Sequence, residues 1–202
     1  MSYEAPVDDI LFALKSVADV SGGMDKSPVR GLDADTLGAI LEEAGKFASE
    51  QLAPLNAVGD RTPSRWVDGR VVTPPGWKAA YDAFCAAGWS ALPCPEDFGG
   101  QALPETVAVA VCEMWNAANL SFGLCPLLTQ GAIDALSAGG SDELKQRYLP
   151  RMVSGEWTGT MNLTEPHAGS DLSVIRTRAK RAPDGTYRLF GTKIFITYGD
   201  HD

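Results

Sequence analysis

Two stretches near the end of the chain combine strand-forming residues with small polar ones. Residues 156–171 read EWTGTMNLTEPHAGSD, with β-formers in the first half and a polar loop containing a proline and a glycine in the second. Residues 191–202 read GTKIFITYGDHD and repeat this design. Two strands that end in small polar residues make a rigid shelf with hydrogen-bond donors at its edge, which suits a flat, phosphate-bearing ligand. The same composition is typical of an ordinary surface turn, so composition alone leaves both interpretations open.

The acidic and imidazole side chains of the first loop are candidates for proton transfer. Glu165 and Asp171 lie on either side of His167, and acids beside a ligand loop suggest acid–base catalysis. The alternative is that Asp171 caps or braces the loop and that His167 is an ordinary loop residue. A further acidic pair, Glu96 and Asp97, precedes two glycines, and we interpret it as turn-forming rather than catalytic.

Both polar stretches resemble motifs of one enzyme family. Residues 163–171, LTEPHAGSD, resemble the signature of the acyl-CoA dehydrogenases, flavoenzymes that desaturate acyl thioesters. Residues 191–197, GTKIFIT, resemble the second flavin-contacting segment of that family, and two motifs in order are a stronger signal than one. The N-terminal YEAPVDD is similar to the branch that includes broad-range fatty-acyl-CoA and 3-methylmercaptopropionyl-CoA dehydrogenases. The resemblance covers essentially the whole chain, but only about the first third of a full enzyme of this branch.

The resemblance implies flavin adenine dinucleotide (FAD) as the cofactor and assigns contacts to the signature loop. Met161, Leu163 and Thr164 are expected to line the edge of the isoalloxazine ring, partly through backbone groups. Gly169 belongs to the same cofactor-binding set, and Ser170 is expected to reach the pyrophosphate. The family often has an aromatic residue at the Met161 position, so this chain keeps the apolar bulk and changes the electronic tuning.

The second segment is expected to complete the flavin site. By the resemblance, Phe195 packs against the ring system and the Thr197 hydroxyl lies near the reactive nitrogen of the flavin. Tryptophan is frequent in the family at the Phe195 position, and phenylalanine lacks its polar N–H. No metal site is implied.

The resemblance also implies a reaction whose base lies elsewhere. Oxidising an acyl thioester requires a base for the α proton, an acceptor for the β hydride and donors on the thioester oxygen. In the family the base is a glutamate of a C-terminal helical domain, and neither Glu165 nor Asp171 has that role. We therefore expect no catalytic residue in this chain and an inactive fragment.

For the full enzyme, the resemblance implies acyl-CoA as substrate, an electron-transfer flavoprotein as electron acceptor, and a homo-oligomer, either a dimer or a tetramer. Two alternatives on the same fold remain open. One is an acyl-CoA oxidase, and the other is a scaffold without the chemistry, such as the DNA-repair-associated relatives.

Composition narrows the class of protein. The 202 residues carry a formal charge of −9, with 45% hydrophobic and 21% charged residues, which is ordinary for a globular protein. The negative charge argues against a nucleic-acid partner, whose phosphates would be repelled. A membrane span needs about 20 uninterrupted apolar residues, and no run in this chain approaches that length. The acidic N-terminus does not have the pattern of a secretory signal. The four cysteines form no C-x-x-C pair, which predicts no zinc site and a reducing, cytoplasmic compartment.

Hydrophobic periodicity predicts helices before Gly155. A short leader helix begins at Val7 and is followed by a loop at residues 21–31. Asp33 is the predicted N-cap of a helix that Pro54 stops, and Ser141 is the predicted N-cap of the last helix. The other helices are predicted at 75–87, 106–118 and 127–138. The helix at 106–118 is apolar on most sides and is predicted to be buried at the centre.

Strands are predicted after Gly155. They are expected at 156–164, 173–181 and 186–197, with a turn at residues 182–185, and a small hairpin is expected earlier around 67–71. The predicted fold class is therefore α+β. An N-terminal extension (1–30) precedes an all-α helical domain (31–154), and the start of a β-barrel or sandwich-like middle domain (155–202) follows.

Overall fold

The computed structural model describes residues 3–18 and 32–201 and has an α+β fold, with most helices before Gly155 and a hairpin after it. The helices are α1 (Val7–Phe12, continued by a π-helical turn, Ala13–Val17), α2 (Ala34–Phe47, continued by a π-helical turn, Ala48–Leu52), α3 (Ala53–Arg61), α4 (Trp77–Ala86), α5 (Glu105–Gly139) and α6 (Asp142–Val153). The strands form two antiparallel hairpins, β1 (Arg65–Val67) with β2 (Arg70–Val72), and β3 (Arg178–Arg181) with β4 (Tyr187–Phe190). The loop predicted at 21–31 and Asp202 lie outside the described residues. The division into three domains stays a prediction.

The first half of α5 forms the centre of the core, as predicted. Met114 is fully buried and Trp115 is 4% exposed. The Trp115 ring meets those of Phe47, Phe84 and Trp89 edge-on, with centroids 5.4, 5.8 and 5.3 Å away. Such edge-to-face contacts stabilise the cluster beyond the burial of its area. Helices α2 and α4 are therefore held to α5 by aromatic packing.

Helix α5 is longer than the sequence pattern indicates. Two helices with a gap between them were predicted, whereas the helix runs from Glu105 to Gly139 with non-helical angles only at Asn119 (φ −159°, ψ 88°). The Asn119 side chain is buried, donates to the Leu52 carbonyl at 3.2 Å and accepts from the Phe122 N–H at 3.1 Å. Asparagine thus caps the second half of the helix directly. The break is confined to one residue and no loop separates the two halves of the helix, so the predicted gap at 119–126 was wrong.

Helix α5 is also long and apolar enough to cross a membrane by length and composition alone. It is the one such helix among residues 3–18 and 32–201. Half of its most apolar window is buried inside the protein, and core helices have the same length and composition. Polar residues such as Glu113 and Asn116 interrupt its apolar sequence, so it contains no uninterrupted apolar run of about 20 residues.

Helix α2 begins as predicted but does not stop as predicted. The Asp33 carboxylate accepts from the Thr36 N–H at 2.8 Å, which confirms the N-cap. Pro54 does not end the helix, because the π-helical turn Ala48–Leu52 intervenes and places Pro54 in the first turn of α3. A first-turn proline loses no helical hydrogen bond, so it starts the new helix instead.

The last helix and the leader each bury one face. The Ser141 hydroxyl accepts from the Leu144 N–H at 3.3 Å, which confirms the N-cap of α6, but Leu144 itself is 42% exposed. The buried face consists of Leu149, Met152 and Val153, and α6 continues three residues past Pro150. In the leader, Ile10 and Leu14 are buried, while Val17 is 75% exposed.

The strand region contains shorter strands than predicted. Residues 156–164 form no ladder with any part of the chain that the structure describes, so the strand predicted there was wrong. The other two predicted strands shorten to β3 and β4, which are joined by the expected turn with Gly185 at φ +84°. A strand needs both strand-forming residues and a neighbouring strand to pair with. β-propensity reports the residue types and says nothing about the partner.

Candidate functional site

The two polar motifs lie side by side. The Ile194 N–H donates to the Thr164 carbonyl at 2.9 Å. The Thr160 hydroxyl donates to the Thr197 carbonyl at 2.5 Å. Residues 30 and 37 positions apart in sequence are thereby joined. We call residues 160–171 and 191–197 together the shelf.

The shelf exposes apolar side chains beside free hydroxyl groups. Met161, Leu163 and Phe195 are 60%, 37% and 85% exposed. The hydroxyls of Thr164, Ser170 and Thr197 make no hydrogen bond to any residue in the described ranges, and Gly169 is exposed between them. Phe195 has φ +58°, a conformation that few non-glycine residues adopt and that often marks a functional site. The shelf therefore exposes apolar side chains and unpaired hydroxyl donors, the two kinds of group that a planar ring with polar edges and an attached phosphate would need.

Glu165 is the buried carboxylate of the shelf. Its side chain is 2% exposed and accepts from the Arg176 N–H and the Thr177 N–H, each at 2.9 Å. Hydrogen bonds from Thr177 and from the Arg176 N–H hold the pKa of Glu165 well below its usual range. Because its oxygens are already occupied, Glu165 is poorly suited to take a proton from a substrate.

Two basic side chains meet this carboxylate. The Lys193 ammonium lies 2.9 Å from the Glu165 carboxylate and also donates to the Leu163 carbonyl at 2.8 Å. The His167 Nε2 lies 3.3 Å from Glu165. The interpretation of His167 as a loop residue is consistent with its place in the turn that Glu165 and Ala168 close with backbone hydrogen bonds of 2.9 and 3.1 Å. Sequence reasoning missed Lys193, although an acid in one motif and a lysine in the other were a visible signal.

Asp171 braces the loop, as the sequence alternative proposed. Its carboxylate accepts from the Ser173 N–H at 2.9 Å and from the Ser173 hydroxyl at 2.6 Å. These two hydrogen bonds lower the pKa of Asp171, the hydroxyl contributing most. Glu96 and Asp97 lie in the single 3₁₀ turn Glu96–Phe98, which confirms that they form a turn.

A cleft of about 450 Å³ opens next to Thr197. Its walls come from the first hairpin, α4 and residues 197–201, with Trp77 and Tyr198 among them. The Tyr198 hydroxyl donates to the Ser121 carbonyl at 2.7 Å, and the Asp200 carboxylate accepts from the Val71 N–H at 2.9 Å. The end of the second motif is therefore anchored to the helical part of the protein.

A second cleft, of about 310 Å³, runs along α5. Phe84, Leu92, Trp115 and Leu127 contribute its apolar walls, and Glu105 and Asp134 are acidic residues at the same cleft. An apolar groove of this size accommodates an alkyl chain more readily than a polar ligand.

Comparisons with known proteins point to one enzyme family. The family model "Acyl-CoA dehydrogenase, N-terminal domain" matches residues 34–156. The chain is 50% identical to the 3-methylmercaptopropionyl-CoA dehydrogenase of Ruegeria pomeroyi over 202 residues, which is all of this chain and 34% of that protein. The chain spans about a third of the length of the curated relatives it matches.

Solved structures show the same relationship. Butyryl-CoA dehydrogenase from Megasphaera elsdenii is similar with a TM-score of 0.69 and 26% identity, over 82% of this chain and 41% of that one. The FAD complex of PigA is similar with a TM-score of 0.65 and 25% identity, over 80% of this chain and 40% of that one. The family model, the relative and the folds agree, and the chain belongs to the acyl-CoA dehydrogenase family.

Proposed function

We propose that the protein containing this chain is an FAD-dependent acyl-CoA dehydrogenase that introduces an α,β double bond into an acyl-CoA thioester. The observation that carries the proposal is the shelf, in which one backbone hydrogen bond and one hydrogen bond from the Thr160 hydroxyl join the two family motifs, and which exposes apolar side chains and unpaired hydroxyls. This donor set fits FAD. The supporting comparisons are a 50% identical relative named for acyl-CoA dehydrogenation and a similar fold solved with FAD.

The residues of this chain would hold the cofactor and shape its surroundings. Met161, Leu163 and Phe195 supply apolar contact for the ring, and the Thr164 and Thr197 hydroxyls supply donors for its polar edge. Ser170 and the backbone of Gly169 would bind the anionic pyrophosphate. When bound, FAD accepts the β hydrogen as a hydride while a base takes the α proton.

The base is proposed to lie outside this chain. Glu165 is the only buried carboxylate among residues 3–18 and 32–201, and its oxygens already accept hydrogen bonds from Arg176, Thr177 and Lys193. A carboxylate with this many donors and a lowered pKa is a weak base. The family resemblance supplies a glutamate of a C-terminal helical domain for that role.

We further propose that the substrate is an acyl-CoA, with an electron-transfer flavoprotein as electron acceptor and a homo-oligomeric enzyme, in fatty-acid or β-oxidation metabolism. A reducing, cytoplasmic location is also proposed. It is supported by the state of the four cysteines, all of which are free thiols. The name of the 50% identical relative makes 3-methylmercaptopropionyl-CoA a substrate to test beside straight-chain acyl-CoAs.

The test uses the complete reading frame that encodes this chain. We expect the purified protein to retain FAD through gel filtration, and an acyl-CoA to bleach the visible flavin band without oxygen. Turnover should require an artificial acceptor or an electron-transfer flavoprotein. Oxygen-driven turnover would identify an oxidase instead. A folded protein that retains no flavin and reduces no acceptor with any acyl-CoA would contradict the proposal.

A further inference from the structure

One buried carboxylate connects three separate segments of the shelf region. Glu165 belongs to the signature loop, and its carboxylate accepts from the Arg176 and Thr177 N–H groups in the approach to β3. It also accepts from Lys193 in the second motif, at 2.9 Å. The side chain is 2% exposed. Removing a partner from such a site leaves an uncompensated charge or donor, which costs more than the hydrogen bond itself contributes.

Lys193 fastens the second motif to the first at two atoms. Its ammonium donates to the Glu165 carboxylate and to the Leu163 carbonyl, at 2.9 and 2.8 Å, and its side chain is 20% exposed. The next N–H, of Ile194, donates to the Thr164 carbonyl. Lys193 and Ile194 together thus contact three consecutive residues of the signature loop, and Lys193 supplies two of the hydrogen bonds that hold the two segments together.

The apolar contacts of the shelf lie close to this pair along the chain. Leu163 is two residues before Glu165, and Phe195 is two residues after Lys193. Both are exposed. A change in the separation of Glu165 and Lys193 therefore changes the separation of the side chains that would lie against the flavin.

We propose that Glu165 and Lys193 form a positioning pair that sets the spacing of the two shelf segments and thereby the orientation of the flavin, an inference that rests on the proposed function. Neither residue reacts with the substrate. Their role is to hold Leu163, Thr164 and Phe195 in register, in the way that supporting hydrogen bonds hold the direct contacts of a binding site.

The experiment compares single and double variants of the full-length FAD-loaded protein. Glu165→Gln keeps the shape of the side chain and removes the charge, and Lys193→Met removes the cation. We expect each to raise the FAD dissociation constant about tenfold, the effect of losing a hydrogen bond to a charged group. The double variant should be no worse than the worse single one, because the two residues act as a unit.

Two further variants separate positioning from general destabilisation. Lys193→Arg can still donate to the Leu163 carbonyl and to Glu165, so it should recover most of the affinity. Lys46→Met removes the cation of an exposed ion pair with Glu43 and should change nothing. The readout beyond affinity is the flavin itself: its visible band shape and midpoint potential should shift in Glu165→Gln and Lys193→Met, and not in Lys46→Met.

The outcomes distinguish this inference from the proposed function. If wild type retains FAD but folded Glu165→Gln and Lys193→Met keep its affinity, band shape and potential, the positioning role is wrong and the proposed function stands. If wild type binds no FAD, both are wrong. If Glu165→Gln does not fold, Lys193→Arg and Lys193→Met test the inference instead. In both of these variants Glu165 still accepts from the Arg176 and Thr177 N–H groups. Equal losses of FAD affinity in Lys193→Arg and Lys193→Met would also contradict the positioning role of the pair.

Discussion

The Tyr81 hydroxyl donates a hydrogen bond of 3.0 Å to the Gly155 carbonyl. This contact fastens α4 to the residue where the helical part of the chain gives way to the shelf. Burial raises the pKa of Tyr81 well above its usual value, so the hydroxyl remains a donor at any physiological pH. Gly155 itself has φ +78°, and a Cβ there would lie 2.3 Å from the Cys85 sulfur. The junction is thus closely packed and requires glycine.

The first prediction concerns this junction. Gly155→Ala should lower the free energy of unfolding by about 2–5 kcal/mol, from left-handed strain of about 1–2 and overpacking of about 1–3 kcal/mol. Gly185→Ala is the matched control, because Gly185 has φ +84° with open space around it. This variant should lose only the stability that corresponds to the left-handed strain. Urea unfolding of both variants tests the difference. Equal losses would mean that the contact with Cys85 is not tight.

The second prediction concerns the N-cap of α6. Ser141→Ala removes the acceptor of the Leu144 N–H and should cost about 1 kcal/mol. Ser16→Ala, at an exposed position of the leader, should stay within about 0.5 kcal/mol of wild type. Thermal unfolding monitored by circular dichroism is sufficient. A Ser141 variant as stable as the Ser16 variant would show that the cap contributes nothing.

The third prediction concerns pH. The pKa of Glu165 is lowered in the folded protein, so its stabilising contribution is present above the ordinary glutamate value of about 4.3 and is lost as pH falls through the folded value. Wild type should therefore be more stable than Glu165→Gln above about pH 5, and the difference should shrink on acidification. Melting temperatures from neutral to acid pH test this. A difference that widens towards low pH would contradict it.

The fourth prediction concerns the flavin. Ser170 carries a free hydroxyl at the exposed end of the signature loop, and Ser170→Ala should weaken FAD binding in the full-length protein by about 1–3 kcal/mol. The flavin-to-protein absorbance ratio after gel filtration gives a first measure, and titration of the apoprotein gives the affinity. Ser16→Ala serves as the control. Unchanged affinity would remove Ser170 from the site.

The fifth prediction is that residues 1–202 alone do not turn over substrate. General-base catalysis commonly contributes about 10²–10⁴-fold, and Glu165 is committed to three hydrogen-bond donors. The isolated chain also exposes Leu189 and Phe190 of β4, which favours association. An acceptor-reduction assay with several acyl-CoAs tests this. Turnover would place a base within the chain, and Glu165→Gln would be the variant to make first.

Local rules predicted the elements that depend on local contacts. The N-caps Asp33 and Ser141 and the turn ending at Gly185 are settled by neighbouring residues, and sequence patterns report them well. The stop predicted at Pro54 failed because a π-helical turn shifted the proline into the start of the next helix. The gap predicted in α5 failed because Asn119 caps a new helical segment by accepting from the Phe122 N–H, while its amide donates to the Leu52 carbonyl, far away in sequence.

The sequence alone determined the motifs, the family and the identity of the residues on the shelf, because these depend on residue type and order. Only the tertiary structure decided what those residues do together. Glu165 looked like a possible base until three donors from two other segments were seen to occupy its carboxylate. Lys193 had no role assigned from the sequence, and in the folded protein its ammonium joins both segments. The physical reason is that a carboxylate's basicity and a lysine's role are set by the partners that reach them, and the partners of Glu165 and Lys193 come from segments that only folding brings together.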